Sequence, residues 1–411
     1  MSLCATIVAR KEQPRGRGQK KNPRITEHHD FATSLLGVEL RNAPEADPFA
    51  DLEDYESSRP SAGSSTSPGS STSNMPKIPI NSLPAANQPR SAPPSQSSPC
   101  AIEQPYNGAL RPSRTVKRTS QSSSNYHNPV ERESAEGTAF RHTLLSHARA
   151  QFLRQHRTCF FQLILVNRWA RFVRWDRSGA IVSARFDYVY EPELLADFLW
   201  RFAHVSDEQR GLDTTVTLAS KEETRQFETA VNEFLETGAT HGRNLPKAED
   251  TLDPSGTYPT WKVHVTNEDT GLRTDIVVRR PFTGHSSVFG RATRAYIAYD
   301  LNEKCLVFLK DTWRRDSHKL RPEFHTYRDL QRHNVPHVPI NLFGGDVLGD
   351  AGGPQKTLSQ DYSITMADWR ISEGPLEKYV HHRLVQDIAY PLESAVDERE
   401  LIGIFRDILH G

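Results

Sequence analysis

The stretch FGRATRAYIAYDLNEKCLVFLK, residues 289–310, decides how the rest of the chain is read. TRAYIAYD and CLVFLK are rich in β-branched and aromatic residues, and the short polar run LNEK parts them. They read as two strands joined by a turn. The second strand ends on Lys310, whose charge must leave the sheet and find an anion, because an unpaired buried charge is costly. Upstream, WKVHVTN (261–267) and LRTDIVV (272–278) flank a turn at Gly271. Four strands in succession with short polar connections predict an antiparallel sheet.

The segment before the first of these two strands follows Gly290-x-Ala292-x-x-Ala295-x-Ile297. It is a weakened form of G-x-G-x-x-G-x-V, in which glycines let backbone amides approach nucleotide phosphates. Ala292 and Ala295 stand where the second and third glycines belong. Beyond Lys310, RPEFHTYRDLQRH (321–333) repeats Phe324, Tyr327 and Leu330 every three residues, and Pro322 suits a first helical position. Glu323 then lies early on a helix, within reach of Lys310. The run YRDLQRHN (327–334) has the Asp329-to-Asn334 spacing of a kinase catalytic loop, H-R-D-x-x-x-x-N. It sits inside the helical pattern, however, and no D-F-G follows it, so Asp329 is expected to be an ordinary helical residue. No catalytic residue is assigned.

Further out, residues 1–42 form a mixed arm with the basic run RKEQPRGRGQKKNPR (10–24), and 43–135 are rich in serine and proline. That second stretch reads as a disordered linker carrying phosphorylatable serines, because it lacks the apolar surface to offset chain entropy. Order is expected from about Gly137. Leu144, Leu145, Ala148 and Phe152 fall on one helical stripe. TCFFQLILVNRWARFVRWDRSGAIVSARF (158–186) reads as three strands, with turns at Asn167-Arg168 and Asp176–Gly179 and with Arg171 and Arg174 on a wet face. Two helices follow. One has a stripe of Leu194, Leu195, Phe198, Leu199 and Phe202. The other opens with a Ser220/Glu223 capping box and stops at Gly238. Residues 239–257 read as an interdomain loop. The resulting division is 1–42, 43–135, an α/β segment over 136–240, and 258–411.

The chain balances 51 basic against 51 acidic residues, so no net field draws it to nucleic acid. Nucleic acid is not the expected partner, and association through the basic arm is the alternative reading. Cys4, Cys100, Cys159 and Cys305 are too dispersed for a disulfide framework or a zinc site. No apolar run reaches membrane-spanning length and no signal peptide is evident, which places the chain inside the cell, in cytoplasm or nucleus.

Several stretches together resemble the fungal-type protein kinase family: RFVRWDRSGAIVSARFDY (171–188), FGRATRAYIAYD (289–300), FLKDTWR (308–314), VPHVP (335–339), GGDV (344–347), HHRLVQDIAYPLES (381–394) and RELIGIFRDILH (399–410). The resemblance implies an α+β fold: a protein-kinase-like N-lobe of antiparallel sheet plus helix, with a hinge, preceded by a family-specific α/β segment. It also implies ATP as cofactor. Gly290, Ala292 and Ala295 then approach the phosphates, Lys310 holds them, and Glu323 is its helix partner. HHRLVQDIAYPL becomes the strand into the hinge, with backbone at Asp387, Ile388 and Ala389, on to Tyr390, meeting the adenine. His381 and His382 are strand residues rather than metal ligands. The family's catalytic loop and magnesium-binding aspartate would follow the last helix, so the C-lobe is expected to be incomplete. Magnesium would be held only by that missing part, and phosphotransfer by this chain alone is not expected. Uncovered, the apolar last helix (Leu401, Ile404, Phe405, Ile408) is expected to offer a site for a protein partner.

Overall fold

The computed structural model describes residues 34–49, 131–132, 134–243, 245–282, 287–363, 376–390 and 392–410, with the backbone of 5–8. All belong to the compact unit formed by Met1–Ser57 and His127–Gly411. Most of the arm and linker, residues 9–33 and 50–130, and Gly411 lie outside the described residues.

In chain order the elements are β1 (Ala5–Val8), β2 (Leu36–Arg41), α1 (Ala135–Arg154), β3 (Phe160–Val166), β4 (Trp169–Trp175), β5 (Ala180–Ser183), β6 (Phe186–Asp187), α2 (Pro192–His204), β7 (Val216–Leu218), α3 (Lys221–Thr240), α4 (Pro246–Thr251), β8 (Trp261–Thr266), β9 (Arg273–Val278), β10 (Arg294–Asp300), β11 (Cys305–Arg315), α5 (Glu323–Arg332), β12 (Asn341–Asp346), α6 (Ser359–Ser363), β13 (Tyr379–Gln386) and α7 (Glu398–His410). Among the described residues no helix is long and apolar enough to cross a membrane.

The first sheet runs β1-β5-β4-β3-β2, with β6 beside β4. Asn167, at φ 55°, takes the left-handed turn between β3 and β4, which asparagine tolerates better than most residues. Phe140, Leu144, Ala148 and Phe152 of α1 bury their stripe with Phe160, Ile164, Val173 and Trp175. Order reaches further back than the sequence suggested. β2 pairs in parallel with β3, and Asp47 and Phe49 are buried. Arg171, expected on a wet face, is buried instead: its guanidinium donates to both Asp47 oxygens and to Phe49 O and Ser183 O. A buried guanidinium requires such a set of acceptors. The α2 stripe is only half-buried, through Phe198 stacked at 4.1 Å on Phe172, and Leu199 is exposed.

The second sheet runs β12-β13-β11-β10-β9-β8-β7. It therefore starts at Val216, and α3 packs on it. The Ser220/Glu223 capping box is formed. Gly238 does not end α3. It lies within the helix, where a Cβ would meet Leu245 Cδ1 at 2.5 Å. The stop is Gly242, at φ 71°, with its N–H on Ala239 O and the next N–H on Gly238 O, the paired bonds of a Schellman cap. The stretch read as an interdomain loop instead carries α4, which buries Ala248 and its N-cap Leu245 in one cluster with Phe227, Val231, Val277, Ile297 and Tyr299. At the far end the sheet curls until Glu268 N–H donates to Gly344 O at 2.9 Å, linking the ends of β8 and β12. Inside the curl lie Val263, Val265, Ile276, Tyr296, Leu309 and Val385.

Candidate functional site

Cross-strand partners share a face and neighbours along a strand alternate. β11 is paired on one side by β10 and on the other by β13, so Lys310 lies between Ala295 and Leu384, and Phe308 between Ile297 and Gln386. Gln386 in turn faces Asn341 of β12. Lys310 is thus mid-strand rather than at a strand end. Its outer face carries Ile297, Phe308, Leu384, Gln386 and Asn341. Leu309, Asp311, His381, Arg383 and Val385 point inward.

At one end of the outer face Lys310 Nζ donates to Glu323 Oε1 at 2.6 Å and Oε2 at 2.8 Å, with both side chains about a quarter exposed. Glu323 is the first residue of α5, with Pro322 at the N-cap. There its carboxylate also complements the helix dipole. Arg291 adds a longer ion pair to the same carboxylate, at 3.6 Å. The segment carrying it is fastened to β11, because Arg291 O accepts from Trp313 N–H and Thr312 Oγ1. Gly290 (φ 88°) and Ala292 (φ 38°) both have positive φ, which explains why glycine suits these positions and shows alanine tolerated at one of them. Ala295 is already in β10.

At the other end, β13 runs into Asp387, Ile388 and Ala389. Asp387 N–H donates to Ile340 O, while the backbones of Ile388 and Ala389 make no hydrogen bond among the described residues. Tyr390 is stacked on Phe234 of α3 and lies under Arg243, just past that helix. Gln386 Nε2 and Asn341 Oδ1 are buried without a partner. An unpaired donor and acceptor side by side are expensive, so native structures keep them chiefly where a ligand or water completes them. Sequence reasoning missed both, since nothing in VQD or PIN marks a buried amide. Phe282 lies over this end, with its ring 5.8 Å from that of Phe308 and its N–H on Ala295 O.

The inner face holds a closed ion network. Arg383 donates to Asp213 (2.5 Å), Asp311 (3.2 Å), Thr215 Oγ1 (2.7 Å) and His264 O (2.8 Å). His381 places one ring nitrogen on Asp311 and the other on Gln355, whose amide N–H donates to Asp213. Burial alone would raise both aspartates. Arg383 and His381 overcome it and hold Asp213 and Asp311 below the usual carboxylate range. A cavity of about 300 Å³ opens beside this network, lined by Thr215, His264, Asp346 and Arg383. It lies on the opposite face of the sheet from Lys310, and the Arg383 donors facing it are already engaged.

The mixed sheets and helices are consistent with the kinase-like α+β fold that the sequence resemblance implied. The family model for fungal protein kinases matches residues 114–411. The chain belongs to the fungal protein kinase family. Neither the curated proteins nor the solved structures compared with it give a match.

Within this fungal protein kinase chain, YRDLQRHN is the end of a helix. Asp329 pairs with Arg321 at 2.5 Å and with Arg332 at 3.6 Å. Asn334, at φ 52°, is the C′ residue of a Schellman cap, with Asn334 N–H on Gln331 O and Val335 N–H on Leu330 O. His381 belongs to the inner network, and His382 Nδ1 faces Asp346 Oδ1 at 2.9 Å. Among the described residues no three His, Cys, Asp or Glu side chains gather where they could hold a metal ion. On α7, Leu401 and Ile404 are half-buried and Ile402, Phe405, Ile408 and Leu409 exposed.

Proposed function

We propose that this chain holds ATP on the outer face of the second sheet. The observation that carries the reading is the formed Lys310–Glu323 pair, which presents a restrained ammonium where a phosphate can reach it. The groups around it fit a nucleotide. The free backbone of Ile388 and Ala389 and the orphaned Gln386 Nε2 and Asn341 Oδ1 supply donors and acceptors for the base edge. Half-buried Phe308 supplies the apolar seat. Gly290 and Ala292 let the backbone approach the phosphates. Phe282 must turn aside for the base to enter.

When bound, ATP would supply a transferable phosphoryl group. Residues 1–411 by themselves retain it without passing it on, because Asp329 is held by two arginines on a helix rather than presented to a substrate hydroxyl. Magnesium would come with the nucleotide phosphates, as the described carboxylates form no cluster to hold it. Melting of the full chain with and without ATP and magnesium tests the reading. Nucleotide should raise the midpoint through linkage, and Lys310→Ala should shrink the rise sharply. An undiminished rise in Lys310→Ala removes Lys310 from the site.

The exposed Ile402, Phe405 and Ile408 of α7 favour a second reading, a scaffold that engages a protein partner through this helix. Substituting them with serine should abolish partner capture while leaving the nucleotide response intact. If nucleotide has no effect on the wild-type midpoint, the scaffold reading gains over the first.

A further inference from the structure

Away from the Lys310 face, three arginines from three elements line one crevice: Arg149 of α1, Arg177 from the turn between β4 and β5, and Arg294 at the start of β10. Arg177 is 4% exposed. Its Nη1 donates to Val288 O at 2.9 Å and its guanidinium lies 4.2 Å from the Phe152 ring centre, but its Nε is buried with no acceptor. Arg294 donates to Phe152 O and Gln155 O at the end of α1, and faces His156 Nδ1. None of the three arginines forms an ion pair among the described residues.

The nearest carboxylates are committed elsewhere. Asp176 accepts from Arg174 and from the N–H groups of Ser178, Gly179, Leu358 and Ser359. Asp311 is held by His381 and Arg383. Burial, reinforced by Arg294, pulls Arg177 down to about 9. Burial and then Arg294 likewise push His156 down to about 3. Asp311 and Asp176 offset the pull on Arg177 only in part. Buried positive charge without an ion-pair partner is costly, and an anion would relieve it. The crevice opens to the surface and holds only about 20 Å³ of space, far too small for a nucleotide. One wall of the crevice is Ser287, whose Oγ accepts from Phe289 N–H.

We propose that Arg149, Arg177 and Arg294 form a seat for a phosphate monoester, and that its occupant is phosphorylated Ser287 of this same chain. The modification requires a separate protein kinase and a nucleoside triphosphate. Ser287 Oγ bonds to the terminal phosphorus as the bond from that phosphorus to the bridging oxygen breaks. The diphosphate leaves with the electron pair, and the hydroxyl proton passes to the transferring enzyme's base or to water. Three acceptor oxygens and nearly two negative charges then meet the Arg177 Nε and the neighbouring guanidiniums. This fastens residues 287–293, which carry Gly290 and Ala292, to α1 and to the β4–β5 turn. The inference does not depend on nucleotide binding at Lys310.

The test is the full chain with phosphoserine installed at position 287, followed by phosphorus NMR over pH. Arg149, Arg177 and Arg294 surround the phosphate, and His156, which faces Arg294 from behind the crevice, is neutral. The second ionisation of the phosphate should therefore fall about one unit below the value near 6 of free phosphoserine. The melting midpoint should rise relative to unmodified protein. Arg149→Gln, a half-buried position, should return the ionisation most of the way while its circular dichroism stays unchanged. An ordinary ionisation with no gain in midpoint overturns the proposal. So does an ordinary ionisation at position 287 combined with an Arg149-dependent rise in midpoint from inorganic phosphate on unmodified protein. That result would assign the seat to a free anion.

Discussion

On the inner face of the second sheet, Arg383 donates to two aspartates, a threonine and a carbonyl, and every partner is itself anchored. Three residues along β13, on the outer face, Gln386 Nε2 and Asn341 Oδ1 are also buried and are bonded to nothing. Between these positions in register, on the same outer face, Lys310 and Glu323 hold each other with about a quarter of each side chain exposed. The two faces are built on the same strands, so the difference is not one of local backbone. Closed polarity inside specifies the fold. Polarity left open outside is the kind that a ligand completes.

The largest effect should come from opening the closed face. Asp213→Ala leaves the Arg383 guanidinium buried with half its charge compensation, and should lower the unfolding free energy by about 3–5 kcal/mol in urea denaturation. A loss under about 1 kcal/mol would mean the network is wetter than its geometry shows.

The pH response sharpens the same contrast. His156 is buried neutral, with its folded ionisation pushed down to about 3 against roughly 6.5 unfolded. The unfolded chain therefore binds the extra proton first. The stability this gives is full above about pH 6.5 and is lost as pH falls toward 3. Below about pH 4, Asp213 and Asp311 should steepen the loss, because both ionise below the usual carboxylate range when folded. Denaturation midpoints between pH 7 and 4.5 should decline in wild type and decline less in His156→Gln.

Gln386→Leu should act in the opposite sense to Asp213→Ala. It removes an unsatisfied buried donor, so stability without ligand should hold or rise by about 1 kcal/mol while ATP binding weakens several-fold. A stability loss with unchanged ATP binding would make Gln386 a structural residue. The smallest expected effect is that of Phe282→Ala. Clearing the ring from the apolar seat should tighten ATP binding by about two- to fivefold, measured by calorimetry.

Much of this fold was legible. Strands β8 to β11 of the second sheet and the Ser220/Glu223 cap follow from local periodicity and capping chemistry, and so does the meeting of Lys310 with Glu323, only 13 residues apart, whereas β7 and β12 carried no such signal. What stayed hidden depends on distant partners. Arg383 meets Asp213 across 170 residues and Arg171 meets Asp47 across 124, and no local pattern links them. Gly238 looked like a helix stop because it ends an apolar stripe, yet it makes room for Leu245, and Gly242 supplies the left-handed turn. The open amides of Gln386 and Asn341 became visible only once the register of β11, β12 and β13 was known.

Titration calorimetry of ATP and of adenosine, each into wild type and Lys310→Ala, separates the two ends of the outer face. Wild type should bind both ligands. Lys310→Ala should lose roughly thirtyfold in ATP affinity, about 2 kcal/mol for a charge-assisted contact, while adenosine binding stays unchanged. Equal ATP affinity in the two proteins would contradict the account.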